Sequence, residues 1–190
     1  MKYNLGLAFQ DVVERNFNNS AIKFSKSYDI SYSQLNSKSN QLANYLIKSG
    51  IQPTDVVCIE GLKKLETFTC ILACLKIGAI YSIFDNNSPI ERLNKIISKC
   101  KPKALYMSET MAKNWGDSLK ELEVTLIINE KNKFFEDVSS FDSVNLDITT
   151  KFTSNHPAYI MFTSGSTGFP KGALMTHGNV LNMITWSVNS

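Results

Sequence analysis

The run Pro157–Gly172, PAYIMFTSGSTGFPKG, carries an apolar, strand-like stretch directly into ten residues that hold three glycines, four hydroxyls and one lysine. Glycine loses more backbone freedom on ordering than any other residue, so such a run needs something to offset the cost. Its backbone N–H groups, hydroxyls and single cation suit the oxygens of a phosphate chain. Two familiar phosphate patterns fail on spacing. Counted from Gly165, Pro170 stands where a Walker loop needs its second glycine, and Gly172 stands where it needs a hydroxyl. The dinucleotide pattern G-x-G-x-x-G is absent as well. An ordinary hairpin loop of small residues is the competing reading. Lys171 beside the rigid Pro170, with serines and threonines interleaved, favours phosphate.

Upstream of this run, strand-like and helix-like segments alternate from about residue 21. AIKFS and YDIS read as a short hairpin. Ser31 with Gln34 three residues on is a capping-box pattern that opens a helix carrying Leu35, Leu42 and Leu46, with a stop at Gly50. DVVCIE reads as a buried strand. A helix with Leu65, Phe68, Leu72 and Leu75 on one side follows it and ends at Gly78. AIYSIF is the next strand, with Asp85 past its carboxyl end. Ser88–Glu91 reads as a second capping box, with Pro89 in the first turn and Ile90, Leu93 and Ile97 along the helix. KALYM and VTLIIN are further strands around a helix that starts near Glu109.

Such alternation predicts an α/β fold, a layered βαβ unit whose mostly parallel sheet is flanked by helices. The expected organisation is one partial domain over residues 1–190. It has an α/β unit at about 20–130, a polar surface connection at about 130–155, and the glycine-rich strand and helix at 156–190. The closing NVLNMITWSVNS is helix-like and carries no stop signal. The expectation is therefore an amino-terminal part whose carboxyl-terminal remainder is absent.

Composition excludes several classes. Hydrophobic content of 43% with 19% charged residues is globular rather than disordered. The net charge of +3 comes from dispersed lysines and only two arginines, Arg15 and Arg92, which argues against nucleic acid or a membrane surface as partner. No leader-like or membrane-length apolar run is present, and a cytoplasmic protein is expected. Cys58, Cys70, Cys74 and Cys100 lack further ligands at metal spacing and read as reduced core thiols. No metal site is expected. Asp85 and Glu91 read as strand-end and helix-start carboxylates, Tyr159 and Phe162 as core, and His156 as a solvated loop residue.

AYIMFTSGSTGFPKGALMTH resembles the signature of adenylate-forming (AMP-binding) enzymes, the superfamily of acyl-CoA synthetases, luciferases and peptide-synthetase adenylation domains. ISYSQLN (30–36) is similar to the first core motif of adenylation domains and LKIGAIYSIFDNNSPIERL (75–93) to the second, in the family's order. The likeness runs over essentially the whole chain. It is nearest to the amino-acid-activating branch of non-ribosomal peptide synthetases. Ser82-Ile83-Phe84 and Asn86 depart from the usual wording of the second motif, where scaffold packing rather than chemistry is at stake.

The resemblance implies the first part of the family's large amino-terminal domain and an ATP-dependent ligase. A carboxylic or amino acid would attack the α-phosphorus of ATP to give an acyl-adenylate and pyrophosphate. The thiol of coenzyme A or of a carrier protein's phosphopantetheine would then displace AMP. Carried over by position, Thr163, Ser164, Ser166 and Thr167 offer hydroxyls to the ATP phosphates. Gly165 and Gly168 let the backbone approach, and Lys171 places a cation on the pyrophosphate end. His177 falls where the family often has histidine, either as a structural cap or on the substrate side. Mg²⁺ is expected for the complete enzyme. The residues that grip adenine, ribose, substrate and Mg²⁺, and the catalytic lysine, lie beyond the stretch matched, so no catalytic residue is assigned here. The alternative is a non-catalytic, truncated protein that binds nucleotide or docks on a partner.

Overall fold

A computed structural model of the chain describes residues 4–25, 28–116, 119, 122–129, 134–163 and 170–189. It opens with helix α1 (Leu5–Asn16), which the sequence reading did not anticipate. Asn4 caps it by accepting the Leu7 N–H at 2.9 Å, while its amide donates to the carbonyls of Thr149 and Phe152. The helix is held by residues distant in sequence, so its local pattern is weak.

Strands β1 (Ser20–Lys23) and β2 (Asp29–Ser31) form the expected antiparallel hairpin. Helix α2 (Tyr32–Lys48) starts on the predicted capping box, with the Ser31 and Gln34 side chains each accepting the other's backbone N–H. The α/β core then runs β3 (Val56–Glu60), α3 (Leu65–Ile77), β4 (Ile80–Phe84), α4 (Ile90–Cys100), β5 (Ala104–Met107), α5 (Glu109–Trp115) and β6 (Leu126–Asn129). Short α6 (Phe134–Val138) and a 3₁₀ turn at Asp147–Thr150 lead into β7 (Pro157–Thr163), β8 (Lys171–Thr176) and α7 (His177–Asn189).

The main sheet has the order β6-β5-β3-β4-β7-β8, parallel throughout except for β8, which is antiparallel to β7. Side-chain alternation divides the core between its two faces. Val57, Ile59, Ala104 and Tyr106 pack with α2 and α3, while Cys58, Leu105 and Met107 pack with α4 and α5. This is the predicted α/β architecture, and strand β8 is an addition to it.

Three local expectations are corrected. The second capping box does not form: Pro89 is the N-cap of α4 without a side-chain bond, and Ser88 instead donates its N–H to the Asp85 carbonyl. A rigid proline at the cap already sets the entry angle. On α3 the buried side chains are Thr67, Thr69, Cys70, Ala73, Cys74 and Leu75 to Ile77, whereas Phe68 is exposed. Small residues let α3 nest between α2 and the sheet, which leaves the bulky Leu65–Phe68–Leu72 side at the rim. The connection at 130–155 is not merely surface. Val138, Thr149 and Phe152 are buried. Four amides of α2 strap it down, with Gln41 donating to Ser139 O, Asn44 to Asp142 O, Asn40 to Ser143 O, and Asn36 to Asn145 Oδ1.

Candidate functional site

The glycine-rich run is the connection of the β7–β8 hairpin. Thr163 and Lys171 are register partners at its base, with the Thr163 hydroxyl 3.5 Å from the Lys171 carbonyl. Ser164, Gly165, Ser166, Thr167, Gly168 and Phe169 lie outside the described residues. Pro170 is buried, and its carbonyl accepts from Lys99 Nζ of α4 at 3.4 Å. Lys171 is exposed beside it. Gly172 has a steric reason: a Cβ there would meet Ile160 Cγ2 and the Phe162 ring at about 3.1 Å. A side chain there would oblige those two side chains to shift by a few tenths of an ångström.

The loop leaves the carboxyl end of β7, the same edge at which β3, β4 and β5 end. In chain order β4 lies on one side of β3 and β5 on the other, so the strand order reverses about β3. Ligands of open parallel sheets gather outside such a reversal, at the carboxyl edge. An open crevice of about 400 Å³ is found there, lined among others by Glu60, Lys64, Asn86, Asn87, Ser108 and Asn114. A concavity of about 460 Å³ near Lys101, Lys103 and Val124 belongs to the opposite, amino edge. Glu60 was not singled out from sequence. Its buried carboxylate accepts both the N–H and the hydroxyl of Ser108, which ties the ends of β3 and β5 together. Asp85 is exposed and accepts from the Asn87 backbone and amide, an Asx turn rather than half of a carboxylate pair.

His177 begins α7 and is fully buried. Its Nδ1 accepts the Leu5 N–H at 3.1 Å, its ring lies 5.3 Å from that of Phe152, and Nε2 has no hydrogen-bond partner among the described residues. Burial first, and the neighbouring His156 second, push its pKa down to about 4. A neutral ring is what the Leu5 bond requires, since a protonated Nδ1 cannot accept. His156 is half-buried and accepts the Thr153 N–H. Tyr159 stacks on Tyr81 at 5.4 Å within the sheet.

Lys76 is the other group that sequence reasoning passed over. Its ammonium is fully buried and donates to Asn36 Oδ1 and Ser39 Oγ, both at 2.7 Å, and to Asn40 Oδ1, with the Phe9 ring 5.5 Å away. Burial pushes its pKa down to about 7. A lysine in the last turn of a helix ordinarily reads as a solvated C-terminal cation. Only the polar face of α2 opposite could have indicated otherwise. Among the described residues no group of three His, Cys, Asp or Glu side chains could hold a metal ion, and no helix is long and apolar enough to cross a membrane.

Comparison with known proteins gives a consistent likeness. A family model described as AMP-binding enzyme matches residues 9–190. The hybrid PKS-NRPS synthetase gkaA of Penicillium citrinum is 34% identical over 154 residues, covering 81% of this chain and 4% of that protein. A dimodular nonribosomal peptide synthase of Bacillus subtilis is 32% identical over 155 residues, covering 82% of this chain and 6% of its own length. Among solved structures, ATP-bound MatB from Rhodopseudomonas palustris superposes with a TM-score of 0.80 at 22% identity, over 96% of this chain and 36% of that one. The chain thus spans a small part of these synthetases and about a third of the solved relative.

Proposed function

We propose, from the premise that this chain belongs to the AMP-binding enzyme family, that it forms the phosphate-loop part of an ATP-dependent ligase activating a carboxylic or amino acid. The observation that carries this reading is the β7–β8 hairpin. Its Thr163–Lys171 base stands at the carboxyl edge of a parallel sheet, the two strands are joined by the glycine- and hydroxyl-rich sequence, and an exposed cation stands where β8 begins.

In this reading a carboxylate oxygen attacks the α-phosphorus of ATP. The bond from that phosphorus to the bridging oxygen breaks, and pyrophosphate leaves with the electron pair. The chain's contribution is to hold the leaving group. The hydroxyls of Thr163, Ser164, Ser166 and Thr167 donate to the β- and γ-phosphate oxygens, backbone N–H groups at Gly165 and Gly168 approach closely, and Lys171 neutralises the charge that develops. Lys99 fixes Pro170 and thereby the exit of the loop. Glu60 and Ser108 shape a crevice at the same sheet edge, and His177 ties the start of α7 to α1. The acyl-adenylate then yields to a thiol, of coenzyme A or of a carrier protein's pantetheine, with loss of AMP and the thiol proton. Mg²⁺ would ride on the ATP phosphates, as it commonly does. The peptide-synthetase relatives favour an amino acid substrate and a carrier partner.

Isotope exchange between ATP and pyrophosphate, dependent on an added carboxylic or amino acid, tests the proposal on the intact product of the gene that encodes this chain. Exchange is expected, and Lys171→Ala should lower it by roughly 10²-fold, as loss of one charge-stabilising group typically does. An intact product without exchange against a broad panel of acids, or exchange indifferent to Lys171→Ala, overturns it.

A further inference from the structure

Two stretches that meet at the foot of the β7–β8 hairpin carry cations and no acids. Arg92–Met107, which spans most of α4 and the whole of β5, holds Arg92, Lys95, Lys99, Lys101 and Lys103 without an aspartate or glutamate. Pro157–Ser190 has no acid either, and Lys171 is its sole lysine or arginine. Lys99 lies in the last turn of α4, where a cation ordinarily faces water and complements the helix carbonyls. Here its ammonium reaches a different element and donates to the Pro170 carbonyl at 3.4 Å, across 71 positions of sequence. That carbonyl belongs to the peptide leading into Lys171, so standard bond lengths put the Lys99 ammonium within about 6 Å of the Lys171 Cα. Among the described residues neither ammonium forms an ion pair.

We infer that Lys99 is a second polyphosphate-binding cation, which the Pro170 carbonyl places beside Lys171 so that the two share the terminal phosphates of ATP or pyrophosphate. The inference rests on the phosphate reading of the hairpin and adds to it a residue from α4. Like charges held close together repel, yet a hydrogen bond keeps one of these two in place. A multiply charged anion between them removes that conflict.

The ligand class follows from donors and charge. An ammonium has three donors, and the Pro170 carbonyl takes one from Lys99. Two remain for phosphate oxygens. A pair of cations matches the dense charge of a di- or triphosphate chain, whereas the lone phosphate of AMP cannot reach both while its base and ribose are held elsewhere. Pyrophosphate gains charge as its bond to the α-phosphorus breaks, so both cations hold the leaving group more tightly than they hold ATP. The competing role is mechanical: Lys99 buttresses the hairpin, and its loss weakens every nucleotide alike.

Binding of pyrophosphate, ATP and AMP to the intact gene product, followed by titration calorimetry, separates the two roles. Lys99→Met should weaken pyrophosphate and ATP by roughly tenfold each, as loss of one charge-assisted contact does, and AMP by less than about twofold. Lys99→Arg keeps the charge and the donors and should restore affinity to within about threefold of wild type. The side chain is exposed, so the urea midpoints of the three proteins should coincide. Wild type supplies a check that needs no variant. Pyrophosphate, but not AMP, should protect Lys99 and Lys171 from acetylation by acetic anhydride, read by peptide mass, while the exposed Lys113 reacts equally throughout. Unchanged pyrophosphate affinity in Lys99→Met, with Lys171→Ala still weakening it, overturns this inference and leaves the phosphate reading standing. Equal losses for AMP and pyrophosphate overturn it too, since a buttress would act in that way. Failure of wild type to bind ATP or pyrophosphate overturns the phosphate reading, and this inference with it.

Discussion

Acid should detach α1 from α7 before it unfolds the sheet, through the single bond from Leu5 N–H to His177 Nδ1. The His177 pKa in the fold is about 4, against an ordinary value of 6.5. The unfolded chain therefore binds a proton between those limits that the folded chain refuses. The contribution of His177 to stability is full above pH 6.5 and falls as the pH drops toward 4. At about 1.4 kcal/mol per pH unit, the shift corresponds to about 3 kcal/mol. A separate estimate from geometry agrees, since a buried N–H that loses its acceptor costs about 1–3 kcal/mol. The assay is urea unfolding followed by Trp115 fluorescence in a Trp186→Phe background, because Trp115 is buried against Phe84 while Trp186 is 72% exposed. His177→Asn offers an amide oxygen that accepts the same N–H but does not titrate. Carboxylates contribute equally to both proteins, so the difference between their pH profiles isolates the imidazole. Equal slopes for wild type and His177→Asn, or an imidazole titrating near 6.5 by NMR, would refute the reasoning.

Lys76 should add a second limb of the same sign at higher pH. With its folded value near 7 and its ordinary value at 10.5, stability should rise above pH 7 by about 1.4 kcal/mol per unit. Above pH 9 the raised thiols of Cys70 and Cys74 start to oppose it. Lys76→Met should flatten the rise between pH 7 and 9 in the same urea assay. Asn40→Ala removes donors to Ser143 and Asn145 and an acceptor for Lys76, so it should cost about 2–4 kcal/mol and speed proteolysis within residues 139–145. Met161, Leu174, Met183 and Trp186 are all exposed on the β7–β8–α7 edge. Replacing Leu174 and Met183 with threonine and glutamine should lower self-association in sedimentation velocity, with no change in the urea midpoint beyond about 0.5 kcal/mol.

What could be read in the sequence was what local chemistry decides. The Ser31–Gln34 box is complete within four residues, and the apolar runs of β3, β4 and β5 are each long enough to declare themselves. Helix α1 was hidden because its partners, Thr149, Phe152 and His177, come more than 140 positions later. Strand β8 was hidden because most of its side chains face outward, without an alternating pattern. Lys76 and Glu60 were hidden because a charge in sequence is ordinarily a surface residue, and only the amides of α2 and the start of α5 make burial tolerable. The phosphate reading came from residue types and spacing, supported by resemblance. The hairpin that carries it came only with the fold.

The fastening of α1 also sets a schedule for biosynthesis. Asn4 waits for Thr149 and Phe152, and Leu5 waits for His177, 172 positions downstream. At ribosomal rates of about 5–20 residues per second, that interval is roughly ten to thirty seconds. During it the nascent first helix can rest on α2 and α3, through Phe9 against Tyr32 and Lys76, but lacks the hydrogen bonds that fix its start. The segment translated earliest is thus among the last to be locked, and its docking reports that the hairpin strand β8 has already been made.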